Sequence, residues 1–280
     1  MVQIGKMNRR RIVRESSIGV FLQGDAEWED FLLPRKYVPN GASVGDTLDV
    51  FVYFDSEGRI ISTTLKPLAQ VGEFATLKVT SIEEFGIFLD WGIGKDLFLP
   101  HREQLFKMDV GRKYPVHVYL DNTGRPAAST RINKFVDKSR PSYTSGDAVE
   151  LLIYQQTDLG LRAVVDGRYT GVIFNQDTLN NLRLGQTVTG YIKNIRDDHK
   201  IDLSLQPLGS TSNRFDLSEL LLSKLKENHG FLEINAKTTA DVINEMFGVS
   251  RKKFKIALGS LYKKKLIKMK DNGIQLTVNS

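Results

Sequence analysis

The sequence contains no cysteine, only four histidines, and no apolar run longer than a single strand. Without cysteine there is no disulfide framework, no thiolate nucleophile and no cysteine-held zinc, and the expected compartment is the cytoplasm. His101, His117, His199 and His229 are too scattered for a metal site, so neither a metal nor a cofactor is expected. Apolar runs such as Val50 to Phe54 are far too short to span a bilayer. No apolar stretch follows the basic N-terminal residues to form a signal-peptide core, so no membrane partner is expected either. The segment Gly92-Ile93-Gly94-Lys95 has a phosphate-loop flavour. However, Leu89 stands where that motif needs its first glycine and Asp96 where it needs a hydroxyl, so a turn between strands explains it. Glu83-Glu84 and Asp197-Asp198 fall in expected turns, and no nucleophile and base can be paired. The chain reads as a protein without catalytic residues.

What is present is a repeat. The 280 residues are 41% hydrophobic with a formal net charge of +6 and a pI near 9.3, a basic balance that suits polyanions without demanding them. Gly19, Gly86 and Gly160 each open a β-rich stretch, and Gly45, Gly111 and Gly185 follow at nearly equal intervals. Alternation along Thr47 to Tyr53, with turn chemistry in Asp55-Ser56-Glu57-Gly58-Arg59 and Asp121-Asn122-Thr123-Gly124-Arg125, predicts short strands joined by tight turns. Each copy predicts a barrel of about five strands, an OB-fold.

Beyond residue 213 the period changes. Leu217, Leu220, Leu221 and Leu225 share one helical face that ends at Gly230. Thr238 and Asp241 have capping-box spacing ahead of a helix ending at Gly248. Phe254, Ala257, Leu258 and Leu261 make the buried stripe of a third helix, and Asn272-Gly273 predicts a type I′ hairpin. That order is a winged helix. The predicted fold is therefore multidomain and mainly β: three tandem OB-fold barrels over 1–67, 68–138 and 139–209, then an α+β winged helix over 210–280. Leu65 to Gly72, Arg131 to Gly146 and Gln206 to Asn213 read as linkers.

The strand-turn-strand residues carry a more specific likeness. Each unit resembles an S1 RNA-binding domain, the module named for a ribosomal protein and shared with polynucleotide phosphorylase. In the middle unit the resemblance implies an RNA face of Phe85, Phe88, Asp121 and Arg125. Pro100 stands at the usual histidine place and His101 one residue later. In the first unit it falls on Phe21, Asp55 and Arg59, with Ile18 in place of the first aromatic. In the third it falls on Phe174, Arg196 and Lys200, with Leu159 and Arg162 at the aromatic places. Three S1-like units followed by a winged helix resemble, as a whole, the bacterial conserved virulence factor B family. This implies a non-catalytic single-stranded RNA-binding protein in post-transcriptional control of gene expression, virulence genes included.

Between Ser250 and Lys270 there is no acid, yet the stretch holds Arg251, Lys252, Lys253, Lys255, Lys263, Lys264, Lys265, Lys268 and Lys270. Unbalanced charge of this kind attracts phosphate. Base-specific readout of duplex DNA relies on Arg, Asn and Gln, whereas this stretch is mostly lysine, so single-stranded RNA is the expected ligand and duplex DNA ranks behind it. Two alternatives come from other classes: a DNA-binding transcriptional regulator acting through the winged helix, and an adaptor for a ribonuclease or the ribosome.

Overall fold

A computed structural model describes residues 1–175, 182–207 and 217–277. The chain divides into two compact units, Met1–Leu208 and Gly209–Ser280. No helix among the described residues is long and apolar enough to cross a membrane.

The first unit holds three five-stranded barrels. In the first, β1 (Lys6–Ser16), β2 (Gly19–Leu22), β3 (Phe31–Pro34), β4 (Thr47–Phe54) and β5 (Ile60–Thr63) close in the order β1-β2-β3-β5-β4, with β3 parallel to β5. The second repeats the pattern with β6 (Phe74–Glu83), β7 (Gly86–Leu89), β8 (Leu97–Pro100), β9 (Lys113–Leu120) and β10 (Pro126–Ser129). Here β8 and β10 pack side by side without a ladder. The third closes through β11 (Ala148–Thr157), β12 (Gly160–Val165), β13 (Tyr169–Phe174), β14 (Thr187–Ile195) and β15 (Ile201–Ser204).

The stretches expected to be linkers are packed seams. On β4, Val50 and Val52 enter the core of the first barrel, while Phe51 and Tyr53 join a cluster with Leu77, Ile87 and Trp91 of the second. Ala69 is buried between them, and its carbonyl accepts the Trp91 indole N–H at 2.7 Å. On β11, Leu151 and Ile153 fill the third barrel, while Leu152 and Tyr154 pack against Ile132, Val136 and Phe74. A strand that buries both faces needs a neighbour on its outer side, which is why three barrels make one unit. In the third expected linker, residues 208–213 lie outside the described residues.

The second unit consists of α1 (Leu217–Glu227), β16 (Phe231–Leu232), α2 (Ala240–Phe247), α3 (Arg251–Lys263), β17 (Ile267–Lys270) and β18 (Gly273–Leu276), with sheet order β16-β18-β17. Leu221, Leu225, Ile243, Phe247, Phe254, Leu258, Leu261 and Ile274 form its core. Ser250 caps α3, its side chain accepting the Lys253 N–H.

Two local expectations are corrected. Thr238 does not cap α2: the N-cap is Thr239, without a side-chain bond, and the Thr238 hydroxyl instead accepts from the Asn235 N–H at 2.9 Å. The hairpin turns on Asp271-Asn272, neither with positive φ, so it is not type I′. Gly273 belongs to β18, where a Cβ would stand 2.3 Å from the Leu232 carbonyl oxygen.

Gly259, in the interior of α3, is exposed, and a Cβ there would meet nothing within 4 Å. Gly259→Ala should therefore stabilise this unit by up to about 1 kcal/mol through helix propensity alone. A thermal melt checks this, and a lowered Tm would count against it.

Candidate nucleic-acid interface

On β7, Ile87 and Leu89 point into the second barrel's core, which turns Phe88 outward. On β8, Leu97 and Leu99 do the same and turn out Phe98, which sits directly opposite Phe88 in the ladder. Phe85, in the preceding turn, is 65% exposed. The three rings lie 5.5 to 6.1 Å apart between centroids and form one half-open patch. Gly86 makes the patch possible, since a Cβ there would fall 2.3 Å from the Phe98 ring. Ile18, at 59% exposed, and Leu159, at 68%, occupy the matching turns of the other barrels. All three repeats thus project an apolar residue at this place, but only the middle one projects a ring.

The patch borders a groove of about 530 Å³, walled on one side by the second barrel and on the other by Phe54, Asp55 and Ser56 of the first. Lys95 enters it, its ammonium donating to the Phe54 carbonyl at 2.9 Å. Burial pushes the Lys95 amine below its usual range, with nearby Arg125 adding to the effect and Asp55 opposing it. Asp121 and Arg125 line the same groove. Burial works against ionising Asp121, but hydrogen bonds from the Thr123 hydroxyl and the Arg125 and Thr123 N–H groups outweigh it and hold the carboxyl low.

His101 lies at the end of β8, exposed, with Nε2 donating to the carbonyls of Glu83 and Glu84 at 3.2 and 3.1 Å. It therefore braces the turn that carries Phe85.

The other sequence-derived positions are placed differently. Phe21 is outward-facing, but the Arg14 guanidinium lies 3.3 Å from its ring centroid. Arg59 donates to Asp55 at 2.8 Å and also pairs with Glu57 at 2.9 Å, so its charge is balanced. In the third barrel Arg196 pairs with Asp202 at 2.9 Å and stands 5.6 Å over the Phe174 ring, while Lys200 pairs with Asp198 at 2.6 Å. In the winged helix Arg251, Lys252, Lys253, Lys255, Lys264, Lys268 and Lys270 are all exposed. Lys252 and Lys255 flank the exposed Ile256 on the outward side of α3.

Sequence reasoning missed Phe98 and Lys95. The alternation Leu97-Phe98-Leu99 is the signal that would have found the first. Lys95 was visible only as the end of a failed phosphate loop, because its partners come from the first barrel.

Comparison with known proteins bears on all of this. The S1 domain family matches residues 4–65 and 71–131, and the CvfB-like winged helix domain matches 219–276. The third barrel lies outside the matched residues. YitL of Bacillus subtilis (strain 168) is 27% identical over 90% of this chain and 86% of its own length. Conserved virulence factor B of Staphylococcus epidermidis (strain RP62A) is 24% identical over 84% of this chain and 81% of its own. A crystal structure of a multidomain protein with nucleic acid binding domains from Streptococcus pneumoniae covers 98% of this chain and 99% of its own, at 23% identity and a TM-score of 0.43. The matched domain families are nucleic-acid-binding ones, and none is a known catalytic domain.

Proposed function

We propose, for a chain built of S1 domains and a CvfB-like winged helix and related over most of its length to conserved virulence factor B, a non-catalytic role in binding single-stranded RNA. The observation that carries this reading is the open trio Phe85, Phe88 and Phe98 beside two cations, Lys95 and Arg125, in one groove. A ring face accepts any base at roughly 1–3 kcal/mol per stack, and cations alongside follow the backbone. The winged-helix lysines add backbone contacts of the sequence-independent kind. Binding RNA without cutting it fits post-transcriptional control of gene expression, and the name of the relatives, conserved virulence factor B, adds virulence genes to that setting.

Phe88→Ala tests the reading. Because the ring is half-exposed, its loss should remove about 1–3 kcal/mol of RNA binding, roughly 5- to 150-fold in Kd, and leave the Tm close to the parent's. A buried Phe truncated to Ala costs about 3–5 kcal/mol of stability instead. A large Tm drop with unchanged affinity per folded molecule would reject the stacking role. Competition between poly-U RNA, single-stranded DNA and duplex DNA for the full chain then ranks the ligands.

A further inference from the structure

Lys95 and Arg125 both reach across the seam to the first barrel. Lys95 does so through its bond to the Phe54 carbonyl. Arg125 does so by laying its guanidinium over Gly58, where any Cβ would stand 2.7 Å from Nη2. Gly58 has φ +81° in the turn after β4, so the turn's backbone and the arginine's seat demand the same residue.

Neither cation makes a direct ion pair at the seam. Among the described residues no ion pair within 4.0 Å includes Lys95 or Arg125. The three acids lining the groove make their hydrogen bonds elsewhere, and of these Asp55 alone has its charge balanced, by Arg59. Asp55 takes the Arg59 side chain and the N–H groups of Glu57 and Arg59; Asp96 accepts from the Thr80 hydroxyl; one oxygen of Asp121 takes three donors of its own turn. Two positive groups are thus held close enough for Arg125 to disfavour charging Lys95, in a half-enclosed site, with Asp55 acting on Lys95 only from beyond ion-pair distance. An anion in direct contact with both would favour the charged form of Lys95 and offset its repulsion by Arg125.

We propose that the seam between the first and second barrels is a phosphate seat, in which Lys95 and Arg125 hold the phosphodiester of the nucleotide whose base lies on the Phe88 patch. The first barrel contributes through its β4–β5 turn and not through its own aromatic face, where Arg14 already covers Phe21. The inference rests on the stacking reading for the identity of the anion, but it concerns different atoms.

The test uses the full chain and two fluorescein-labelled strands of equal length, an oligouridylate and an abasic ribose-phosphate strand. Each phosphate contact to single-stranded RNA contributes about 0.7 to the slope of log K against log salt, so Lys95→Met should flatten the slope by about 0.7 and weaken binding about fivefold at 0.1 M salt. Arg125→Met should do the same. Lys95 is half-buried, so a second variant guards against a folding defect: Ser56, exposed on the first barrel's turn, lines the groove. Ser56→Glu should weaken binding by a similar factor with an unchanged Tm, and Ser56→Lys should tighten it. On the abasic strand Phe88→Ala should have no effect, while Lys95→Met keeps its full effect. If Lys95→Met and Ser56→Glu both bind like the parent with the parent's slope, the seat is overturned. If instead only Phe88→Ala is silent on oligouridylate, stacking fails and the seat stands.

Discussion

Between 50 and 200 mM salt, affinity for single-stranded RNA should fall a few hundredfold. The unpaired cations set this number. Arg59, Arg196 and Lys200 sit in ion pairs and release little when RNA arrives. On the proposed reading, Lys95 and Arg125 in the groove, with Lys252, Lys255, Lys264 and Lys268 exposed on α3 and beyond it, would make about six phosphate contacts. At about 0.7 per phosphate the slope is roughly −4, and a fourfold rise in salt then costs a few hundredfold in K. Fluorescence anisotropy titrations across that range measure it. A nearly flat response would mean that stacking alone holds the strand, and the electrostatic half of the reading would be lost.

Mild acid should destabilise the barrel unit, through one histidine. His117 on β9 is buried between Phe74, with centroids 4.4 Å apart, and Phe135, at 4.2 Å and nearly parallel. Its Nδ1 is buried with no hydrogen-bond partner in the structure. Burial pushes its pKa down from 6.5 to about 4. In that window the unfolded chain takes up a proton that the folded chain refuses, so stability is whole above about pH 6.5 and declines as the pH falls to about 4. At about 1.4 kcal/mol per pH unit, and allowing for screening by solvent, the loss is roughly 2 kcal/mol.

The depressed carboxylates act lower on the scale. Backbone and side-chain bonds from Ser139, then Arg168, hold Asp137 at about 2, and its contribution disappears only as the pH falls from 3.8 through that value. Urea unfolding at pH 7 and pH 4.5 should therefore show the decline in the parent and little of it in His117→Phe. An equal decline in both would assign the effect to other groups.

The three barrels and the winged helix are legible in the chain because their signals are local. A glycine opens each β2-like strand, Asp-x-x-Gly-Arg closes a turn in two repeats, and Leu or Phe recurs at helical spacing after residue 217. Even the outward direction of Phe88 follows from its place between Ile87 and Leu89. Local signals misled where a neighbour took the donor or the space. Thr238 had capping-box spacing but its hydroxyl serves Asn235, and Asn272-Gly273 had the composition of a turn until β16 crowded Gly273 into the sheet.

What the chain alone determined is which residues face inward in each barrel, since a strand's period of two depends only on its own sequence. What covers the outward face was decided by tertiary structure. Phe51 and Tyr53 became core because the second barrel lies against β4, and Lys95 and Arg125, from two separate loops of the second barrel, came together where both meet the end of β4 and the turn that follows it. Periodicity carries no information about a partner dozens of residues away, and the charge state of this groove is a property of such partners.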